Sequence, residues 1–247
     1  MRAQLRELFG DEEPGEDRPI EGALVGFFVR VLEPNGSGNL RRAAQEFERA
    51  RSLNVHEFDR LLADFQPVRW DRLDEYMDVL DHFFRAYDEF NQVFMYVRRG
   101  LALPEDPYAP STDFENTKLY YGEAFEVLGS HIDLLAAVNN VTAGRRFDQL
   151  NQISLTSYRG SDKGRRNETL ASSPELAWMV ANYDNRLRNA SHHRWLRLSH
   201  DRSELTYREG GDGAVRRLSY AEYLYQCCAI TTQLMLLAAL EAMLLSD

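Results

Sequence analysis

Leu73-Asp-Glu-Tyr-Met-Asp-Val-Leu-Asp-His-Phe-Phe-Arg-Ala-Tyr-Asp-Glu-Phe-Asn-Gln-Val-Phe-Met-Tyr-Val97 decides the fold class. Leu73, Tyr76, Met77, Leu80, Phe83, Phe84, Tyr87, Phe90, Phe94 and Val97 recur at steps of three and four. Such steps line up on one face of an α-helix, so the stretch predicts one aromatic stripe about seven turns long. A stripe this regular reads as core rather than as a cofactor box. Asp81, Asp88 and Glu89 fall on the opposite side and read as a solvated face.

Toward the N-terminus, residues 1–20 read as a loosely ordered segment with an acidic run from Asp11 to Asp17. Ala23–Leu32 predicts a short helix that stops at Pro34-Asn-Gly-Ser-Gly38, and Leu40–Ser52 predicts a charged one. Asn54 with Glu57 three residues on is a helix-start signal for about Val55–Phe65, ended by Pro67. Toward the C-terminus, Gly100, Pro104, Pro107 and Pro110 make a loop, and Thr112-x-x-Glu115 has the form of a capping box opening a second long helix to about Val141. Arg159-Gly-Ser-Asp-Lys-Gly-Arg-Arg166 reads as an exposed basic loop. Ser173-Pro174-Glu175 starts a helix that runs to about His192. The period then changes. Trp195–Leu198 and Glu204–Tyr207 have strand character, Glu209–Gly213 is a turn, and Ala214–Leu218 is a returning strand. Ser219-x-x-Glu222 caps a last helix, Tyr220–Leu245, apolar nearly all round.

The expected fold is therefore mostly α: a helical bundle with long antiparallel helices and a small β-hairpin before the last helix. Its expected parts are the segment 1–20, an N-terminal helical extension over 21–66 and a bundle over 67–247.

Composition narrows the function classes. A net charge of −10 argues against a general nucleic-acid coat protein. The charge is uneven, with fourteen basic and nine acidic residues from Gly144 to Arg217. Only Lys118 and Lys163 among the 29 basic residues are lysine, a bias that fits anion recognition by arginine's planar fork and equally fits codon usage. The two cysteines, Cys227 and Cys228, are adjacent and cannot staple distant segments. With no secretory pattern at the start, the expected setting is cytoplasmic. The last helix reads as buried or interfacial rather than as a membrane span, because Thr231, Thr232, Gln233 and Glu241 interrupt it. Its apolar surface predicts a homodimer that covers it. No Cys/His spacing suited to a metal appears, and no cofactor is expected.

One segment carries chemistry: Asn185-Arg-Leu-Arg-Asn-Ala-Ser-His-His-Arg194. Histidine transfers protons near neutrality, and arginine binds phosphate. RNA brings its own nucleophile, the 2′-hydroxyl, so one arginine and one histidine could suffice without a metal. The same cluster at a helix C-terminus is also favourable against the helix dipole, with no catalysis needed. His56, His82, His131 and His200 are isolated and read as surface or capped residues.

Arg188-Asn189-Ala190-Ser191-His192-His193 resembles the signature of the HEPN superfamily, in which an arginine, often followed by asparagine, precedes a histidine with four to six residues between them, as four stand between Arg188 and His193. The resemblance implies a metal-independent endoribonuclease in toxin–antitoxin or antiviral defence, acting as a homodimer whose two motifs face one cleft. It implies Arg188 on the scissile phosphate, His193 as general acid or base and Asn189 as an orienting residue. Arg186, Arg194, Lys163, Arg165 and Arg166 would contact the RNA backbone. On a continuous helix His192 shares the face of Arg188, while His193 sits about 140° away; a helix that ends near His192 lets His193 swing back to the arginine, so the expected catalytic histidine is His193, with His192 as the second candidate. The alternative is a non-catalytic helical module of the same shape that binds a regulatory or antitoxin partner.

Overall fold

The computed structural model describes residues 20–193, 195–208 and 213–244. The segment 1–19, Arg194, most of the Glu209–Gly213 turn and Leu245 lie outside the described residues.

The last helix, α11 (Tyr220–Leu244), is the axis of the molecule. The Ser219 hydroxyl accepts from the Glu222 amide at 3.1 Å, and the Glu222 carboxylate accepts from the Ser219 amide at 2.6 Å. This is a reciprocal capping box. Beyond it nearly every side chain is apolar and buried. Helices α1 (Ile20–Val31), α2 (Gly36–Leu53), α4 (Arg69–Arg85), α5 (Tyr87–Arg98) and α7 (Tyr120–Thr142) pack around it. Each large apolar side chain buried in this way is worth about 1.5–3 kcal/mol. The chain alone covers α11, so the expectation that a second copy must cover it loses its ground. Length and composition would let α11 cross a membrane, but its surface is spent on this core.

The aromatic stripe is two helices, α4 and α5, rather than one. Ala86 leaves helical geometry at φ −99° and ψ 20°. A straight helix carries a heptad pattern about 20° off its face per repeat. The break re-aims the second half, and Phe83 and Phe90 stack at 4.7 Å with Tyr120 against Phe90 at 4.9 Å. Met77 and Phe84 are left outside the core, exposed.

Glu89 corrects the reading of a solvated face, because it is buried. Its carboxylate accepts from the Thr112 amide at 2.6 Å, the Asp113 amide at 2.7 Å, the Thr112 hydroxyl and the Tyr220 hydroxyl at 2.6 Å. Burial alone would raise its pKa, but these donors outweigh burial and lower it. Thr112 is thereby taken, and the expected Thr112/Glu115 box does not form. A single turn, α6 (Phe114–Thr117), precedes a fresh start of α7 at Tyr120.

At the N-terminal side, Asn54 caps α3 (Val55–Phe65), its side chain accepting from the Glu57 amide at 3.1 Å. Gly36 to Gly38 form the first turn of α2 rather than a loop, with the Ser37 amide and hydroxyl on the Glu33 carboxylate. Residues of α1, α2 and α3 belong to the same apolar core as the rest, so no core boundary falls at residue 66.

Between α7 and α11 lie α8 (Leu155–Arg159), a 3₁₀ helix over Lys163–Leu170, α9 (Pro174–Ala177), a 3₁₀ turn over Trp178–Val180 and α10 (Asn185–His192). The single helix expected from Pro174 to His192 is broken. The Tyr121 hydroxyl donates to the Asn182 carbonyl at 2.6 Å and accepts from the Asp184 amide at 2.8 Å, pinning the break onto α7. The Asp184 side chain then caps α10 by accepting from the Arg186 amide. Strands β1 (Arg197–Leu198), β2 (Glu204–Arg208) and β3 (Val215–Ser219) form an antiparallel sheet in that order, with Leu205 opposite Leu198 and Leu218. The expected hairpin is β2–β3, with β1 added at its edge.

Candidate functional site

Helix α10 has eight residues, too few to hold a helix by propensity, so its neighbours position it. It buries Leu187, Ala190 and Ser191. The Ser191 hydroxyl donates to the Lys118 carbonyl at 2.7 Å and accepts from the Gly122 amide at 3.2 Å. A Cβ on Gly122 would lie 3.1 Å from the Ser191 hydroxyl and 3.2 Å from the His192 ring, so glycine permits this approach.

One turn beyond Gly122 stands Glu126, and the motif gathers on its carboxylate. Arg188 bonds one oxygen through Nε at 2.6 Å and also through Nη2. His192 Nε2 faces the same oxygen at 3.6 Å. Lys163 reaches the other oxygen at 3.2 Å and the Glu126 carbonyl at 3.1 Å. Arg188 Nη1 donates to the Asn189 side-chain carbonyl at 2.8 Å, and its guanidinium lies over the Phe125 ring. Burial would raise the Glu126 pKa, but the hydrogen bonds and charges of Arg188 and Lys163 outweigh it and lower it. The Arg188, Glu126 and His192 side chains keep 26%, 25% and 37% of their surface, so solvent reaches the cluster.

Of the residues read from the sequence, Arg188, Asn189, His192 and Lys163 are therefore brought together. His193 is not. It forms the C-cap of α10, donates its amide to the Asn189 carbonyl at 3.0 Å and stacks its ring on Trp195 at 4.7 Å. The helical-face argument accounts for this placement, because α10 stays regular through His192. Arg186 folds back on its own cap, Asp184, at 3.1 Å. Arg165 is exposed and pairs with Glu168 at 2.9 Å.

Arg166 corrects the reading of an exposed basic loop over Arg159–Arg166. It is buried and donates to the carbonyls of Gly129 at 2.8 Å, Ser161 at 3.0 Å and Arg159. A guanidinium spent on three carbonyls braces the loop and has no face for an RNA backbone.

Two clusters have no local sequence signal. Glu126 is one, although glycines stand four residues before it and three after it, at the close approach of α10 and of the Lys163 segment to α7. The other surrounds His131, which is buried rather than a surface residue. His131 Nε2 pairs with Glu75 at 3.0 Å, beside Arg72, which bonds Glu241 at 2.6 Å and Asp133 at 3.1 Å.

Past the end of α10, a 630 Å³ cleft opens between α6 and the β1–β2 turn, with Lys118, Arg197, His200 and Arg202 among its walls together with Asp113 and Glu115. Among the described residues, no three His, Cys, Asp or Glu side chains converge as metal ligands would. No protein-family model, no curated protein and no solved structure matches the chain.

Proposed function

We propose that the chain is a metal-independent endoribonuclease whose working pair is Arg188 and His192, with Glu126 and Lys163 beside them. One observation carries this reading: a guanidinium, an ammonium and an imidazole meet one carboxylate on a solvent-reachable surface. Two cations against one carboxylate leave one positive charge in excess, so a phosphate diester can compete with Glu126 for Arg188 and Lys163. The imidazole accepts the proton of the 2′-hydroxyl as that oxygen attacks phosphorus. It returns the proton to the departing 5′-oxygen, leaving a 2′,3′-cyclic phosphate. Arg188 stabilises the charge that develops on the phosphorane. Glu126 orients both groups. The resemblance noted above adds a homodimeric, toxin or antiviral setting to this proposal.

A second reading has its own support. Arg188 and Lys163 are already paired with Glu126, which is also what a packing clamp in a non-catalytic partner-binding module needs.

Incubation of purified protein with RNA in EDTA separates the two. Cleavage is expected, and Arg188→Ala and His192→Ala each reduce it on the order of a hundredfold or more, while His193→Ala stays near wild type. Intact RNA throughout supports the module. A dead His193→Ala beside an active His192→Ala moves the histidine role to His193. Activity that needs added magnesium refutes the metal-independent reaction.

A further inference from the structure

Helix α4 carries a second pattern that the core does not use. Trp70, Met77 and Phe84 stand one heptad apart and are 43%, 39% and 36% exposed. Seven residues rise about 10.5 Å, so the three side chains form a ridge about 21 Å long on one helix face. On one flank of the ridge Leu73 and Leu80 turn into the core. On the other stand Asp71, Asp74, Asp78 and Asp81, all exposed, with Arg69 and Arg85 at the two ends. Arg69 lies over the Trp70 ring, and Arg85 pairs with Asp81. Helix α1 extends the ridge sideways. Its Phe27, 42% exposed, packs on Phe84 with ring centres 5.9 Å apart, and Ile20 and Ala23 continue its outward face.

We infer that this ridge is a docking face for a basic amphipathic helix of a partner protein. Four turns of partner helix match its length, and apolar side chains at heptad spacing would meet Trp70, Met77 and Phe84. Lysine or arginine on the flank of such a helix would meet the aspartate row. The same row disfavours an antiparallel second copy of this chain, in which aspartates would face aspartates, and like charges face to face select against a partner. Isolated exposed apolar residues need no explanation, but an apolar ridge with a row of aspartates along one flank marks an interaction surface. The inference is independent of the Arg188 site.

The probe is a labelled amphipathic peptide of about eighteen residues, about 27 Å of helix, with leucine on one face and lysine on the other. Its companion carries glutamate in place of lysine. Fluorescence anisotropy with the full chain is expected to show saturable binding of the lysine peptide and at least tenfold weaker binding of the glutamate peptide. Met77→Asp and Phe84→Asp discriminate most sharply. Each adds negative charge, so a merely electrostatic association would tighten, whereas docking on the ridge weakens at least tenfold. Phe84 also packs on Phe27 and Phe83, so circular dichroism checks that each variant stays folded, and Met77→Asp decides the question if Phe84→Asp unfolds. Asp74→Lys with Asp78→Lys should reverse the preference between the two peptides. Absence of binding by the full chain, equal binding of both peptides, or an unchanged or tighter Met77→Asp complex overturns the inference. A dimer in sedimentation that Met77→Asp dissociates also overturns it, by giving the face to a second copy.

Discussion

Arg72→Met should be among the most damaging single changes in this chain, and the structure sets its size. Arg72 lies in the core, with Nε and Nη2 on the two oxygens of Glu241 at 2.7 and 2.6 Å and Nη1 on Asp133 at 3.1 Å. Glu241 has no exposed surface, and the Tyr76 hydroxyl donates to it at 2.8 Å. Burial alone would raise the Glu241 carboxyl. Arg72 above all, with His131, outweighs burial and pulls it from its ordinary 4.5 to about 2. At 1.36 kcal/mol per pH unit that depression is worth about 3 kcal/mol. The sign follows from the direction. A depressed carboxyl contributes fully above pH 4.5 and loses its contribution as pH falls toward 2, with about 2 kcal/mol gone by pH 3. Removing Arg72 strands this carboxylate, and breaking a buried pair from one side costs about 3–5 kcal/mol. Urea titration followed by circular dichroism at pH 6 should show that loss, or a melting temperature lower by roughly 10 °C. Arg72→Met combined with Glu241→Met and Tyr76→Phe should recover at least half of it, since Asp133 keeps Arg159 at 2.7 Å. Between pH 6 and pH 3, Glu241→Gln should lose about 2 kcal/mol less than wild type. A loss below about 1 kcal/mol for Arg72→Met at pH 6 would mean that water solvates the cluster, and the argument would fail.

Two further changes probe the frame. Glu89→Ala strands the Thr112 and Asp113 amides and leaves the Tyr220 hydroxyl with Thr117 alone at 2.9 Å, so it should cost about 2–3 kcal/mol and speed protease cutting between Leu101 and Asp113; an unchanged digestion pattern would show that the loop is held by other contacts. Gly129→Ala drives a methyl group into the Tyr183 hydroxyl, which donates to the Lys163 carbonyl at 2.7 Å and whose ring stacks on Phe125 at 3.7 Å. It should cost about 1–3 kcal/mol, and adding Tyr183→Phe, which clears the space, should relieve part of that; no relief would place the strain elsewhere.

Local signals in the sequence hold where no distant group competes for them, as Glu89 does for Thr112. Asn54 and Glu57, Ser219 and Glu222, and Pro174 at the first turn of α9 all act within four residues, and each stands where its pattern predicts. Readings that failed depend on partners far along the chain. Glu89 looks solvated on a helical wheel until Tyr220, 131 residues away, donates to it. His131 looks isolated until α4 brings Glu75 beside it. Arg166 looks like a free cation in a glycine-containing loop until the Gly129 carbonyl claims it. The site divides in the same way. Arg188 and His192 share a face by helical geometry alone, which the spacing contains. Glu126, the group they share, lies 62 residues before Arg188 and has no mark in its own segment.

Helix α7 explains why these dependences converge. Tyr121, Gly122 and Glu126 face α10 and Lys163, while His131 and Asp133 face α4 and α11 through Arg72 and Glu241. One helix therefore carries the solvent-reachable carboxylate and, less than two turns further on, part of the buried charge cluster. The two ends answer to different physics. Around Glu126 water reaches the paired charges and screens them. Around Glu241 no such screening is open, because the core offers an unpaired ion no solvent. A short helix such as α10 has little stability of its own to spend on holding Arg188 and His192. Their placement is thus borrowed from α7, whose own position the buried cluster fixes against the central helix.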